Sequence, residues 1–185
     1  MRAADFEARY RAERDPWRYR SSPYERAKYA ATLRACGRGP FEHALELGGS
    51  IGEFSALLAP RCRRLTTIDV SATAVERARV RVTGLPVDVL LGAIPDDLPH
   101  ASFELVVASE VLYYLTVPQL TATLAALRAR MPRGARLVAV HWAPQGPERP
   151  LSAYLVHAAL RAQPWLRSHV AADEGDYLLD VLTVR

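Results

Sequence analysis

Residues 44–58 read ALELGGSIGEFSALL: an apolar run carrying one acid, paired glycines, a third glycine at position 52, and then a run with helical spacing. Glycine loses more conformational freedom on folding than any other residue, so Gly48, Gly49 and Gly52 call for a positive φ or for something that must come close to the backbone. A sharp turn handing a strand to a helix is where a doubly wound sheet brings ligand against main chain. The rest of the sequence repeats that alternation. HALELG, LTTIDV, VDVLLG, FELVVAS and ARLVAVHW read as five strands, while EFSALLAP, ATAVERARVRV and QLTATLAALRARM have apolar residues at helical spacing between them. At the carboxyl end SHVAAD, a turn at Gly175 and YLLDVLTVR read as a hairpin. The expectation is an α/β fold: a Rossmann-like sheet of seven strands closed by a terminal β-hairpin.

The chain has 185 residues, half of them hydrophobic, which suits a single domain over 1–185 with its sheet core in 43–185. Residues 1–37 differ and read as an N-terminal helical cap: six of the fifteen aromatics fall in the first 29 residues, interleaved with arginines. Its helical spacing breaks at DPW, and a second helix is predicted to start at Ser21 or Ser22 with Pro23 in its first turn. Two cysteines make neither a disulfide framework nor a zinc site, and the amino terminus lacks a signal-peptide pattern, so a reduced, cytoplasmic chain is expected. No apolar run approaches the roughly 20 residues of a membrane span. Net charge is +4, from 24 basic and 20 acidic residues, which does not by itself mark a nucleic-acid binder.

About twenty residues after the glycine turn, strand 2 ends in Asp69, the position from which a carboxylate reaches the hydroxyls of an adenosine ribose. Dinucleotide cofactors also carry adenosine, but their fingerprint places its second and third glycines where this chain has Ser50 and Glu53. A carboxylate at 53 is expected to repel a pyrophosphate at the helix amino end. S-adenosylmethionine carries a sulfonium and an ammonium instead of phosphates, and an acid such as Glu46 favours it.

The stretches LELGGSIGEFS, TTIDVS and FELVVASEVLYYL resemble a class I S-adenosylmethionine-dependent methyltransferase. The DPW…SPYERAKY segment, SEVLYYL after strand 4 and HW after strand 5 are similar to the NodS-like N-methyltransferase group. The resemblance implies S-adenosyl-L-methionine as cofactor and S-adenosyl-L-homocysteine as product. It also implies a small-molecule acceptor methylated at an amine or hydroxyl, such as an aminosugar or a natural-product intermediate. Glu46, Gly48 and Gly52, with Gly49 and Ser50 between them, would then frame the methionine part. Asp69 and Val70 would meet the ribose, Gly92, Ala93 and Ile94 the adenine, and Ser109 and Glu110 the mouth of the site. Ala93 stands where the family usually has an acid, leaving the adenine amino group to backbone or to Asp96 or Asp97.

For chemistry, His141 at the end of strand 5 is the expected base, Glu110 its rival, and Tyr113 a residue facing the substrate. Trp17, Tyr19 and Tyr24 are candidates to cover the sulfonium. Lys28 and Arg26 read as surface charge, and His157 as a helix-face histidine without a role. A tRNA or rRNA methyltransferase, or a non-catalytic adenosine-binding partner protein, are the competing readings; no membrane association is expected, nucleic acid is disfavoured as a partner, and the oligomeric state is open.

Overall fold

A computed structural model describes residues 2–185, so the first residue of the expected cap lies outside the described residues. Seven strands form one sheet in the order β3-β2-β1-β4-β5-β7-β6. They are β1 (Ala44–Leu47), β2 (Leu65–Asp69), β3 (Val87–Leu91), β4 (Leu105–Ser109), β5 (Arg136–Trp142), β6 (Leu166–Asp173) and β7 (Tyr177–Val184). The first five are parallel, and β7 runs antiparallel to both β5 and β6. This is the expected sheet with its terminal hairpin. The helices are α1 (Ala3–Ala12), α2 (Pro23–Cys36), α3 (Glu53–Leu58), α4 (Ala72–Arg81), α5 (Val117–Arg128) and α6 (Ala153–Arg161).

Strand parity divides the core. Along β4 and β5, Val106, Ala108, Leu137 and Ala139 pack toward α5 and α6, whereas Leu105, Val107, Val138 and Val140 pack toward α2 and α3. Both faces are covered, which is why these strands read as unbroken apolar runs. The chain leaves β1 for β2 on one side and meets β4 on the other, so strand order reverses at β1. The crevice at the carboxyl ends of β1 and β4 is therefore where a ligand is held in such sheets.

The two amino-terminal helices do different work. Ser22 caps α2 by accepting from the Glu25 N–H at 3.3 Å, and Pro23 fills the first turn, as its spacing predicts. The sheet begins at Ala44, yet Tyr29 and Cys36 are buried with Phe54, Leu58 and Val138, so α2 within residues 1–37 is a layer of the core as well. α1, the stretch after it and the first turns of α2 border the crevice. Glu7 fastens α1 to the amino end of α4, accepting from Ser71 Oγ at 2.7 Å, Thr73 Oγ1 at 2.7 Å and the Thr73 N–H at 3.1 Å. Tyr10 is buried against Ile51 and Ala74. Among the described residues no helix is long and apolar enough to cross a membrane. His169 lies in β6 and meets Thr183 Oγ1 at 2.7 Å.

Candidate active site

A cavity of about 1080 Å³ opens at the carboxyl ends of the parallel strands, roofed by α1 and the chain that follows it. At its floor the β1–α3 turn has positive φ at Gly48, Ser50 and Gly52. A Cβ on Gly48 would lie 3.0 Å from the Val111 side chain, so only glycine lets the turn pass beside the start of the next loop. Ser50 donates its N–H to Asp69 Oδ2 at 2.8 Å, and its Oγ meets Tyr10 OH. Asp69 also accepts from the Ser71 N–H at 3.0 Å. Burial raises the carboxyl of Asp69 above its ordinary range, and those backbone donors oppose the shift. Gly48, Ser50, Asp69 and Val70 all line the cavity, as do Gly92, Ala93 and Ile94 after β3.

Three other residues expected in contact with cofactor stand behind this wall. Glu46 points to the α3 face, where its carboxylate accepts from Ser55 Oγ; burial pushes it up to about 7. Gly49 is required by Thr67 on β2, whose Oγ1 would lie 1.8 Å from any Cβ there. Gly52 caps α3 and packs on α4, with Ala78 Cα 3.0 Å from a Cβ at that position. None of the three lines the cavity. Asp96 and Asp97 do not line it either; Asp97 Oδ2 instead accepts from the Ala93 N–H at 2.8 Å and fixes the loop after β3.

Glu53 also departs from expectation. Its Oε1 accepts from Arg20 Nε at 2.5 Å and Arg81 Nε at 3.0 Å, and it does not line the cavity. What opposes a pyrophosphate is Ser50, whose side chain occupies the place where a dinucleotide fold needs a bare glycine.

At the other end of the cavity, after β4, Ser109 and Glu110 lie at the wall. Glu110 has φ +57°, a conformation that costs a non-glycine residue about 1–3 kcal/mol and persists only where neighbours hold it. The holding groups are Lys28 Nζ at 2.8 Å, the Trp142 N–H at 3.0 and 3.2 Å from its two oxygens, and the Tyr113 hydroxyl. Lys28 is thus not surface charge: it is 2 % exposed and bridges Glu110 to Glu25, 3.1 Å away. Arg26, by contrast, is exposed and bonds the backbone oxygens of Arg20 and Ser21.

His141 requires the largest correction. Parity along β5 puts it on the same face as Leu137 and Ala139, under α6 and outside the cavity, where it is 0 % exposed. Leu112 N–H donates to Nε2 at 3.2 Å, so the proton resides on Nδ1, which donates to His157 Nε2 at 3.0 Å. His157, whose Nε2 accepts, carries its proton on Nδ1, which lies 3.1 Å from Asp180 Oδ2 without hydrogen-bond alignment. With both nitrogens engaged and no route to the cavity, His141 cannot take a proton from an acceptor. His157, expected to have no role, is its partner.

Tyr113 lines the cavity, and burial with the adjacent Glu110 raises its phenol, so it donates and does not act as a base. Trp17 and Tyr24 line the roof. The Trp17 ring packs on Tyr10 and Tyr19, and the Tyr24 ring carries Lys28 Nζ 5.1 Å from its centre. Arg149 was not singled out by the sequence. It is buried between the rings of Tyr113 and Trp142, 4.7 Å from each, and donates to Pro144 O at 2.7 Å. Glu25, Lys28, Tyr10 and Arg149 are among the wall residues that sequence reasoning missed. The i, i+3 spacing of Glu25 and Lys28 was the available signal for two of them.

Five acidic and three basic side chains line the cavity, although the whole chain carries +4. Its lining therefore favours cations while its exterior does not.

A family model described as Nodulation protein S (NodS) matches residues 3–134. The nodulation protein S of Rhizobium tropici is 39% identical over 103 residues, which covers 55% of this chain and 43% of that protein. That of Bradyrhizobium diazoefficiens is 39% identical over 108 residues, 55% of this chain and 49% of the relative. The match spans less than half the length of these curated relatives. The crystal structure of N-methyltransferase NodS from Bradyrhizobium japonicum WM9 in complex with S-adenosyl-L-homocysteine superposes with a TM-score of 0.87 at 28% identity, covering 98% of this chain and 97% of that one. The sheet and its helices are thus those of the class I methyltransferase fold.

Proposed function

The chain belongs to the NodS family, and from that premise we propose that it transfers the methyl group of S-adenosylmethionine to an amine nitrogen of a small molecule. The observation that carries this reading is the cavity itself. It joins a glycine turn and a strand-end carboxylate, Asp69, to a second, acid-rich end at Glu110 under one aromatic roof.

The residues fit the cofactor on their chemistry. Asp69 supplies a buried carboxylate for a diol, Ser50 excludes a pyrophosphate, and the excess of acids favours a sulfonium and an ammonium. When bound, the cofactor supplies an electrophilic methyl group. The protein's part is to hold acceptor and methyl in line and to keep water out, and orientation of this kind supplies much of what a displacement needs. Small-molecule sites run to about 1,000 Å³, so a cavity of 1080 Å³ suits two small molecules side by side. The acceptor class we favour is an amine on a polar small molecule, with an aminosugar among the candidates. A nucleic acid is a poor fit, since a phosphate backbone would meet an acidic lining. Two free, buried cysteines suit a reducing, cytoplasmic compartment.

Thermal unfolding tests the reading. S-adenosylhomocysteine at about 100 times its dissociation constant adds roughly 2.7 kcal/mol, which raises the melting temperature of a chain this size by about 5 to 10 °C. NAD should leave it unchanged. Equal shifts with both, or a shift with NAD alone, would end the methyltransferase reading.

A further inference from the structure

The chain contains twenty-three arginines and one lysine, and that single lysine is buried in the cavity wall between two glutamates. Arginine is a planar fork, whereas an ammonium is a compact charge with three donors. A chain that uses arginine elsewhere has placed its one ammonium where Glu25 and Glu110 face each other. The local chemistry is built around an alkylammonium.

One valence of this cluster remains open. Glu110 is filled: Oε1 accepts from Lys28 Nζ and the Trp142 N–H, and Oε2 from the Tyr113 hydroxyl and the same N–H. Glu25 Oε1 accepts from Lys28, but its Oε2 is buried with no hydrogen-bond partner. Glu25 is 8 % exposed and lines the cavity beside Tyr24 and Lys28. Buried carboxylate oxygens are seldom left without a donor. The last torsion of a glutamate is soft, and a small rotation that keeps Oε1 within reach of Lys28 Nζ would bring this oxygen to the cavity. The group's charge supports the same conclusion, because two carboxylates and one ammonium leave one negative charge for a ligand to neutralise.

We propose that Glu25 determines acceptor specificity by receiving an N–H of the acceptor's primary or secondary ammonium on its free Oε2, beside the Lys28 ammonium that it already binds. The inference rests on the methyltransferase reading for the name of the acceptor, and on the cavity alone for the ammonium. Glu110, fully bonded, fixes the wall against which that ammonium sits. Two ammonium groups sharing Glu25 is tolerable because Glu110 offsets the second positive charge. The class assigned is thus an amine bearing at least one N–H, in preference to an alcohol or a quaternary ammonium.

The test is a titration of the protein, saturated with S-adenosylhomocysteine, with methylammonium chloride, following the ¹³C resonance of the Glu25 carboxyl. Tetramethylammonium chloride and sodium chloride serve as controls. A saturable shift with methylammonium, at least tenfold tighter than with tetramethylammonium, is expected. In Glu25→Gln, followed at the Tyr24 ring, methylammonium should bind at least tenfold more weakly while S-adenosylhomocysteine binds as before. No saturable shift, equal response to both cations, or unchanged binding in Glu25→Gln overturns the proposal, and so does a carboxyl already satisfied by an ordered water. The wild-type titration decides the matter even if the variant folds poorly. Failure of S-adenosylhomocysteine to bind would instead remove the methyltransferase reading, and the same titration on the unliganded protein would still test Glu25.

Discussion

The backbone N–H of Leu112 donates to Nε2 of His141 at 3.2 Å, and this bond determines what the histidine does. It ties the end of β5 to the short 3-10 turn Leu112–Tyr114 that presents Tyr113 to the cavity. His141 is a strut for the Tyr113 wall of the cavity.

The strut has a pH signature. Burial chiefly, with the adjoining His157 and the positive charges of Lys28 and Arg149, holds His141 neutral well below its ordinary ionisation range. In the unfolded chain it protonates near pH 6.5. Below that pH the unfolded state binds a proton that the folded state refuses, so the contribution to stability is complete above about 6.5 and declines as pH falls. Urea unfolding of His141→Gln, whose side-chain oxygen can still accept from Leu112, should show a flatter fall between about pH 6.5 and 5 than the native chain. The same slope in both would take His141 out of the account.

Asp69 both braces its loop and faces the cavity. Its oxygens accept from Ser50 and Ser71 N–H groups at 2.8 and 3.0 Å, and it lines the cavity. Asp69→Asn keeps the shape but loses the charge. Calorimetry should show S-adenosylhomocysteine bound about 1.5 to 3 kcal/mol more weakly, the scale of a hydrogen bond to a charged group, in a protein that still folds. Unaltered affinity would remove Asp69 from the cofactor site.

Glu7 is what keeps α1 in place. Hydrogen bonds from Ser71 and Thr73, chiefly, lower its carboxyl to about 2. A carboxylate depressed on folding stabilises above its unfolded value near pH 4.3, and that stabilisation is lost as pH falls toward 2. Glu7→Gln should cost about 1 kcal/mol at neutral pH, the scale of a helix cap, and should open the segment between α1 and α2 to limited proteolysis. Native-like protease resistance in the variant would show that packing of Tyr10 and Trp17 alone holds the roof.

The central strands were legible because β-rich runs buried on both faces cannot be mistaken for amphipathic surface helices, and the glycine turn with Asp69 located the crevice. Much of the wall was not. Lys28 meets Glu110 across 82 positions of sequence, a pairing that no local pattern announces. Gly49 answers to Thr67 on the neighbouring strand, so its reason lies across the sheet and outside the turn. Arg149 comes from a proline-rich loop without periodicity, and the rings of Tyr113 and Trp142, with the carbonyl of Pro144, give it a place. The face of His141 was readable in principle, since Leu137, Ala139 and His141 alternate on one side of β5. Position at a strand end suggested function, and parity along the strand opposed it.

A +4 chain whose cavity carries five acids against three bases sorts ions by location. At low ionic strength its arginine-covered exterior attracts polyanions, and a cation exchanger or a nucleic-acid column retains it for reasons unrelated to the cavity. Salt near 0.15 M shortens the reach of that exterior field to about 8 Å, while desolvated charges are screened much less. Ionic strength therefore becomes the separating variable: retention that fades with salt belongs to the shell, and occupancy that survives it belongs to the interior.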